Sequence, residues 1–347
     1  MKTGQSLQQI ATEIERQKAA KKDYLAPTKQ LVLGDDGAAL RVNGKGSFEM
    51  TEIAHGQLAT HVGVPRAYYD KMRVEAPALL GTNVNHWLAR NSETRLVRTL
   101  DGRARAILSR RYRPLDYDDM AEAVLPAIIG AGCRIESAAL TSSRLYIKAV
   151  TANITAEVVP GDVVQAGIVI SNSEVGFGSV RVEPLVYRLV CRNGMIASDL
   201  SLNKYHVGRS GGVGDLAEEF FRDETRQADD KAFWMKVQDV VKGALSRDVF
   251  AKIAARLQSA TKNAIVEAQV EEVVKRAQER FQLSQQERSG VLAHLIRGGD
   301  LTQYGLVQAI TRTSQDVEEY DRATDLERLG GQVLELPASD WTALAGG

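Results

Sequence analysis

Polar and apolar positions change period several times along the chain, and each change marks an element. Leu7, Ile10 and Ile14 recur at helical spacing within residues 5–22, whose end is basic at Lys18, Lys21 and Lys22. Two short strands are predicted at Gln30–Leu33 and Ala38–Val42, joined by the turn Gly34-Asp35-Asp36-Gly37. Gly44-Lys45-Gly46 breaks the chain before a helix at Thr51–His61. Gly63 ends that helix, and Pro65 opens a second at Arg66–Arg73, where its missing N–H costs nothing. Arg95–Thr99 and Arg105–Ser109 flank Asp101-Gly102, a strong hairpin signal. An amphipathic helix follows from Asp116 to Ile129, with acids in its first turn where they complement the helix dipole.

The pattern then turns β again, with strands at Arg134–Leu140 and Leu145–Val150. A long hairpin runs from Val163 to Met195 around the small-residue turn Ser171–Ser179. Asn203–Gly214 is a Gly-rich loop. Residues from Leu216 to Ala277 read as helical, Gln285–Leu295 and Leu301–Ala323 as shorter helices, and Gln332–Leu336 as a terminal strand. The fold class expected is α+β: a central antiparallel β-rich domain with an N-terminal helical hairpin and a C-terminal helical region, divided at 1–90, 91–215 and 216–347.

Charge changes this picture only locally. Lys plus Arg equals Asp plus Glu at 44 each in 347 residues, so no net field steers the whole molecule onto nucleic acid. Yet residues 95–113 hold seven arginines (95, 98, 103, 105, 110, 111 and 113) against one acid, Asp101. The two cysteines, Cys133 and Cys191, show no metal-ligand or redox spacing, which fits a reducing cytosol. No apolar segment of signal-peptide or membrane-spanning type occurs, so a soluble cytoplasmic protein is expected.

The arginine cluster is the sharpest chemical signal. Guanidinium groups fork onto phosphate oxygens, and the set contains no lysine. Arg103, Arg105, Arg110, Arg111 and Arg113 are the expected phosphate contacts, with Arg181, Arg188 and Arg192 on the long hairpin continuing the track. Tyr112 and Tyr187 are candidates for base stacking. Lys204 and Arg209 add cations in the Gly-rich loop, whose default reading is a flexible connector. Charge on a strand edge also protects against aggregation, an alternative of equal weight for residues 95–113. Ala59 and Gly63, with Leu58, Val62, Val64, Tyr69 and Met72 buried, fit helix-turn-helix spacing, which would aim Arg66, Lys71 and Arg73 at duplex DNA or simply pack a helical hairpin. The five histidines form no metal-ligand pair, and no nucleophile elbow or phosphate loop is present. No catalytic residue, metal or cofactor is therefore expected. Trp87, Trp234 and Trp341 read as core or interface anchors.

Several motifs carry a family resemblance. Ser109-Arg110-Arg111-Tyr112-Arg113-Pro114-Leu115-Asp116, Ser171-Asn172-Ser173-Glu174, Tyr187-Arg188-Leu189-Val190-Cys191-Arg192-Asn193-Gly194 and Arg312–Asp316 through Glu335 resemble the phage and plasmid-like proteins of domain-of-unknown-function family 932. The likeness implies a mobile-element origin and a bacterial host cell; it carries no catalytic residue to this chain. In topology, helix 116–129, the β-runs to Val190 and the long helix after them resemble the β-β-β-α core of single-strand annealing proteins, which form rings with basic strand-binding grooves. The insertion at 151–162 and the large helical tail depart from that compact core. The leading expectation is a non-enzymatic, homo-oligomeric protein that binds single-stranded DNA in recombination or replication. The alternatives are a sequence-specific duplex binder acting through residues 51–73, and a phage protein that binds a host protein without touching nucleic acid.

Overall fold

The computed structural model describes residues 1–112, 114–178, 180–197 and 223–346, with side chains of 223–227 left aside. Arg113, Lys204 and Arg209 lie outside the described residues, as does the predicted loop Asn203–Gly214. The fold is α+β, with antiparallel sheets in the middle and helices at both ends, as the patterning implied. Its partition is not linear along the chain. One compact unit comprises Gln8–Asp118 with Ser173–Gly178, and the other Met1–Leu7, Asp119–Asn172 and Ser179–Gly347.

The first unit holds α1 (Leu7–Ala20), β1 (Lys22–Pro27), β2 (Leu31–Leu33), β3 (Ala39–Val42), β4 (Gly46–Met50), α2 (Glu52–Val62), α3 (Arg66–Glu75), α4 (Pro77–Arg90), β5 (Thr94–Leu100) and β6 (Arg103–Ser109). Its six strands are ordered β1-β5-β6-β4-β3-β2, and β4 runs parallel to β6. The β5–β6 hairpin turns where predicted: Asp101 and Gly102 have φ of 53° and 74°, the pair of positive values a type I′ turn requires. Thr51 caps α2 by accepting from Ala54 N, and Gly63 (φ 72°) closes it in the left-handed region. Leu58, Tyr69, Leu80, Val84 and Leu88 from the helices pack on Leu31, Leu40, Val97 and Ile107 of the sheet to form the core.

Three elements of this unit went unread in the sequence. β1 begins Lys-Asp and ends in Pro, and β4 starts at a glycine, so neither alternates cleanly. α4 does carry a helical stripe at Leu80, Val84 and Leu88, opened by Pro77 at its first turn.

The second unit contains most of α5 (Tyr117–Gly130) and a meander of β7 (Cys133–Leu140), β8 (Leu145–Glu157), β9 (Val163–Asn172), β10 (Arg181–Arg188) and β11 (Asn193–Ile196). The sheet order is β11-β10-β9-β8-β7, antiparallel throughout. Seven α-helices follow among the described residues: α6 (Asp223–Ala244), α7 (Arg247–Ala260), α8 (Val270–Phe281), α9 (Gln285–Gly298), α10 (Gln303–Thr313), α11 (Tyr320–Leu334) and α12 (Ala338–Ala345). Val164, Ala166, Val186 and Met195 of the strands meet Phe250, Leu257, Val273, Leu295, Ile310, Leu326 and Val333 of the helices in one core. α11 lies close on β11, because a side chain at Gly331 would bring its Cβ to 2.0 Å from the Ile196 carbonyl oxygen. Beneath α11, Lys148 of β8 pairs at 2.6 Å with Glu327, both fully buried, and its ammonium lies 4.6 Å from the centre of the Tyr320 ring.

Two sequence expectations fail here. Gln332–Leu336 is not a strand: its apolar residues Val333 and Leu334 finish the buried face of α11. Leu301–Ala323 is not one helix either, since α10 ends at Thr313 and α11 starts at Tyr320. Among the described residues no helix is long and apolar enough to cross a membrane.

Candidate nucleic-acid groove

The arginines singled out in the sequence are divided between the two compact units, and several of them are internal. β5 and β6 belong to the six-stranded sheet, whereas β9 and β10 belong to the five-stranded one, so the two ribbons are not neighbours in a sheet. Arg105 points inward with 9% of its side chain exposed, and its Nη2 donates to Glu174 Oε2 at 2.5 Å. Arg98 is more deeply buried at 1%, bonded to Asp23 and Asp116 and to the Glu174 carbonyl oxygen. Arg188 donates to Asp162 Oδ1 at 2.7 Å and stacks over Tyr304, whose hydroxyl donates to the same carboxylate. A guanidinium spent on an internal carboxylate has no reason to leave it for a phosphate. Arg103 remains exposed, 3.5 Å from Glu49, and Arg110 and Arg111 are exposed in the turn after β6. Arg181 is half-buried on β10, and Arg192 is exposed with a φ of 51°.

The two tyrosines expected to stack on bases are likewise internal. Tyr112 donates its hydroxyl to the Ser173 carbonyl oxygen at 2.8 Å and packs against a cluster of Leu96, Leu108 and Val175. Tyr187 is 3% exposed and donates to Glu136 Oε1; burial, then that carboxylate, pushes its phenol up to about 12.

Of the residues expected to be buried in the helix pair, Leu58, Tyr69 and Met72 are buried and Val62 and Val64 partly so. The cations of its second helix are held by local acids. Arg66 bonds Glu52 and Asp70, Arg73 bonds Glu52, and Lys71 lies 3.8 Å from Glu75.

The ion pairs around Glu174 form a single internal network with Lys21, Asp23, Arg98, Arg105, Asp116 and Asp118. Asp116, Asp118 and Glu174 bring ligand atoms within 4.8 Å of one another, a spacing that suits a metal ion. The Lys21 ammonium already occupies that place, 2.6 Å from Asp116, 3.3 Å from Asp118 and 3.9 Å from Glu174. Burial would raise Asp116, but Arg98 and Lys21 outweigh it and hold the carboxyl below its usual range. Lys21 thus supplies a positive charge among the three carboxylates.

What the network anchors is the segment Ser173–Gly178. Glu174 also accepts from Tyr117 N at 2.7 Å, Gln57 Nε2 donates to the Val175 carbonyl oxygen, and the Ser173 hydroxyl accepts from Phe177 N. Gly176 (φ 90°) passes so close to Leu108 that a Cβ would stand 2.5 Å from it. Phe177 is thereby held with about half its surface, 49%, in solvent.

Phe177 forms one wall of an open cleft of about 840 Å³. One face of α2 lines it through Glu52, Ile53, Gly56, Gln57, Thr60 and His61, and the end of β6 forms its floor at Ile107, Leu108 and Ser109. A second hollow of about 370 Å³, lined by Val62, Trp87, Arg90 and Ser92, shares His61 and Asn91 with the first. The two hollows adjoin at those shared residues as a candidate groove; Phe177 lines the first and Trp87, 48% exposed, the second. Arg66, Arg90 and Arg95 stand along it; Glu52 and Glu93 partly neutralise Arg66 and Arg95. The Arg95 Nε is buried without an acceptor. His61 sits at the junction, and burial, then the nearby Arg95, holds its imidazole below the usual range.

Groove and charge balance coincide in the same unit. Residues 8–118 and 173–178 contain eighteen Lys and Arg against fourteen Asp and Glu, so the other unit carries the matching negative surplus. The internal network removes three bases and four acids, leaving the rest of this unit more positive still.

Sequence reasoning did not select Phe177, Trp87 or His61. Phe177 had a signal, an aromatic residue between two glycines in a turn, where nothing local buries it. Trp87 had none: helical spacing sets it beside the Leu80-Val84-Leu88 stripe, which assigns it to the core, and only the packed structure leaves it half in solvent. Trp341, by contrast, is a core residue as expected.

No curated protein and no solved structure matches the chain. A family model does, over residues 105–329, about two thirds of the sequence, and the chain belongs to the family it describes: Domain of unknown function (DUF932).

Proposed function

We propose that this chain is a non-enzymatic, single-strand DNA-binding protein of a bacteriophage or related mobile element, serving recombination or replication as a homo-oligomer, and that it grips DNA in the groove between Phe177 and Trp87. One observation carries the reading: two half-exposed aromatic rings line adjoining hollows that also hold Arg90, Arg95 and, shared between them, His61, on the unit with the positive surplus. Unpaired bases offer ring faces to such side chains, and duplex bases do not. The reading moves the expected site from the β-ribbon arginines to α2, α4 and the Ser173–Gly178 segment, with Arg110 and Arg111 supplying cations just beyond Ser109. The likeness to phage and plasmid-like sequences supports the origin.

Fluorescence anisotropy with labelled oligothymidylate, against a duplex of equal length, tests it. Affinity is expected to fall steeply with added salt, because bound phosphates release counterions. Phe177→Ala and Trp87→Ala should each weaken binding about five- to 150-fold, the range for loss of one base–aromatic stack at roughly 1–3 kcal/mol. Both side chains are half-exposed, so the fold survives their removal. Unchanged affinity in both variants, or a duplex that competes equally well, would overturn the proposal.

A further inference from the structure

His61 is the one titratable side chain that lines both halves of the groove. It lies in the last turn of α2, where the helix dipole favours a cation. The charges around it come from every side of the groove: Glu52 from its own helix, Arg66 from α3, Arg90 from the end of α4, Glu93 from the following turn and Arg95 from β5. Phe177 and Ser109, which complete the wall and floor, carry no charge. In the free protein, desolvation and the Arg95 guanidinium both work against a second positive charge, and the ring is neutral at neutral pH.

We propose that His61 is a phosphate-contacting residue of this groove and takes up a proton when an anionic strand enters. The inference rests on the groove reading above and adds a residue and a linkage to it. Burial is the larger cause of the neutral ring; a phosphate within reach of Arg95 offsets the repulsion that adds to it and supplies an attraction of its own. The imidazolium then donates to a phosphate oxygen. The sign of the linkage follows. The bound form holds its proton to higher pH than the free form, so affinity rises as pH falls through the bound-state value. It levels off once the free protein is protonated as well, with a limiting slope of about tenfold per pH unit between the two.

Calorimetric titration of the full chain with oligothymidylate, whose bases do not protonate in this range, tests the idea in buffers of different ionisation enthalpy at pH 6.5. The expected result is net proton uptake on binding, abolished by His61→Gln and retained in His294→Gln, a change in the other unit. His61→Gln should also flatten the affinity-versus-pH curve between pH 5 and 7.5 without abolishing binding. Binding with no proton uptake, or uptake that persists in His61→Gln, overturns the role of His61 and leaves the groove intact. Absence of binding at every pH overturns both readings.

Discussion

Removing the Glu174 carboxylate gives the most direct test of how the groove is built. Glu174 is 2% exposed and accepts from Arg105 Nη2 at 2.5 Å and from Tyr117 N at 2.7 Å. Glu174→Ala leaves the Arg105 guanidinium, itself 9% exposed, without the carboxylate that neutralises it, while its Nε already lacks an acceptor. Breaking a buried pair from one side costs about 3–5 kcal/mol, because the remaining charge keeps its desolvation penalty and loses its compensation. The double replacement Arg105→Met with Glu174→Leu removes both charges and keeps apolar bulk, so it should recover most of that loss. Native-state hydrogen exchange, read by mass spectrometry on peptides spanning Thr94–Ser109 and Ser173–Gly178, follows the local opening of this unit. A loss of about 4 kcal/mol appears as roughly a thousandfold faster exchange in those peptides. Protection within tenfold of the parent in Glu174→Ala, or a double variant no better than the single one, would refute the claim that this ion pair fastens the segment bearing Phe177.

Two further outcomes follow from the geometry. His55 is 3% exposed, its Nδ1 3.0 Å from the Tyr69 hydroxyl, and burial, aided by Arg73, holds its imidazole down to about 4. The unfolded chain binds that proton near 6.5, so the stability due to the neutral ring is full above about pH 6.5 and drains away as pH falls towards 4, by up to about 3 kcal/mol. Thermal midpoints across that window should fall with acid, and His55→Gln should flatten the slope; an unaltered slope would assign the effect elsewhere. Gly331→Ala places a methyl group 2.0 Å from the Ile196 carbonyl oxygen, so α11 must move off β11, at an expected cost of about 2–3 kcal/mol in denaturant unfolding; a loss below about 0.5 kcal/mol would show that the contact yields.

Local chemistry was legible wherever a single element settles it. The Asp101-Gly102 hairpin, the capped and glycine-ended helix before Pro65, and strands over 134–140 and on both arms of the 163–195 hairpin all appear where the residues put them. Boundaries failed where one pattern serves two elements. Val333 and Leu334 read as strand because they are apolar neighbours, yet both are buried in the last turn of α11. The site was less legible than the fold. Arg105 looked like a ligand contact because nothing near it in sequence neutralises it; Glu174, which does so, comes from 69 residues away.

Composition and periodicity by themselves determined that this chain is an α+β protein of zero net charge whose middle is antiparallel sheet, because side-chain alternation and turn chemistry act over a few residues. Only the tertiary structure decided which charges face water. It gathered a positive surplus into one unit and sank Arg98 and Arg105 onto distant carboxylates. It also brought Phe177 from the β9–β10 connection to the groove lined by α2, and left Trp87 in solvent against its helical pattern. Burial and ion pairing depend on three-dimensional neighbours far apart in sequence, and no local pattern encodes them.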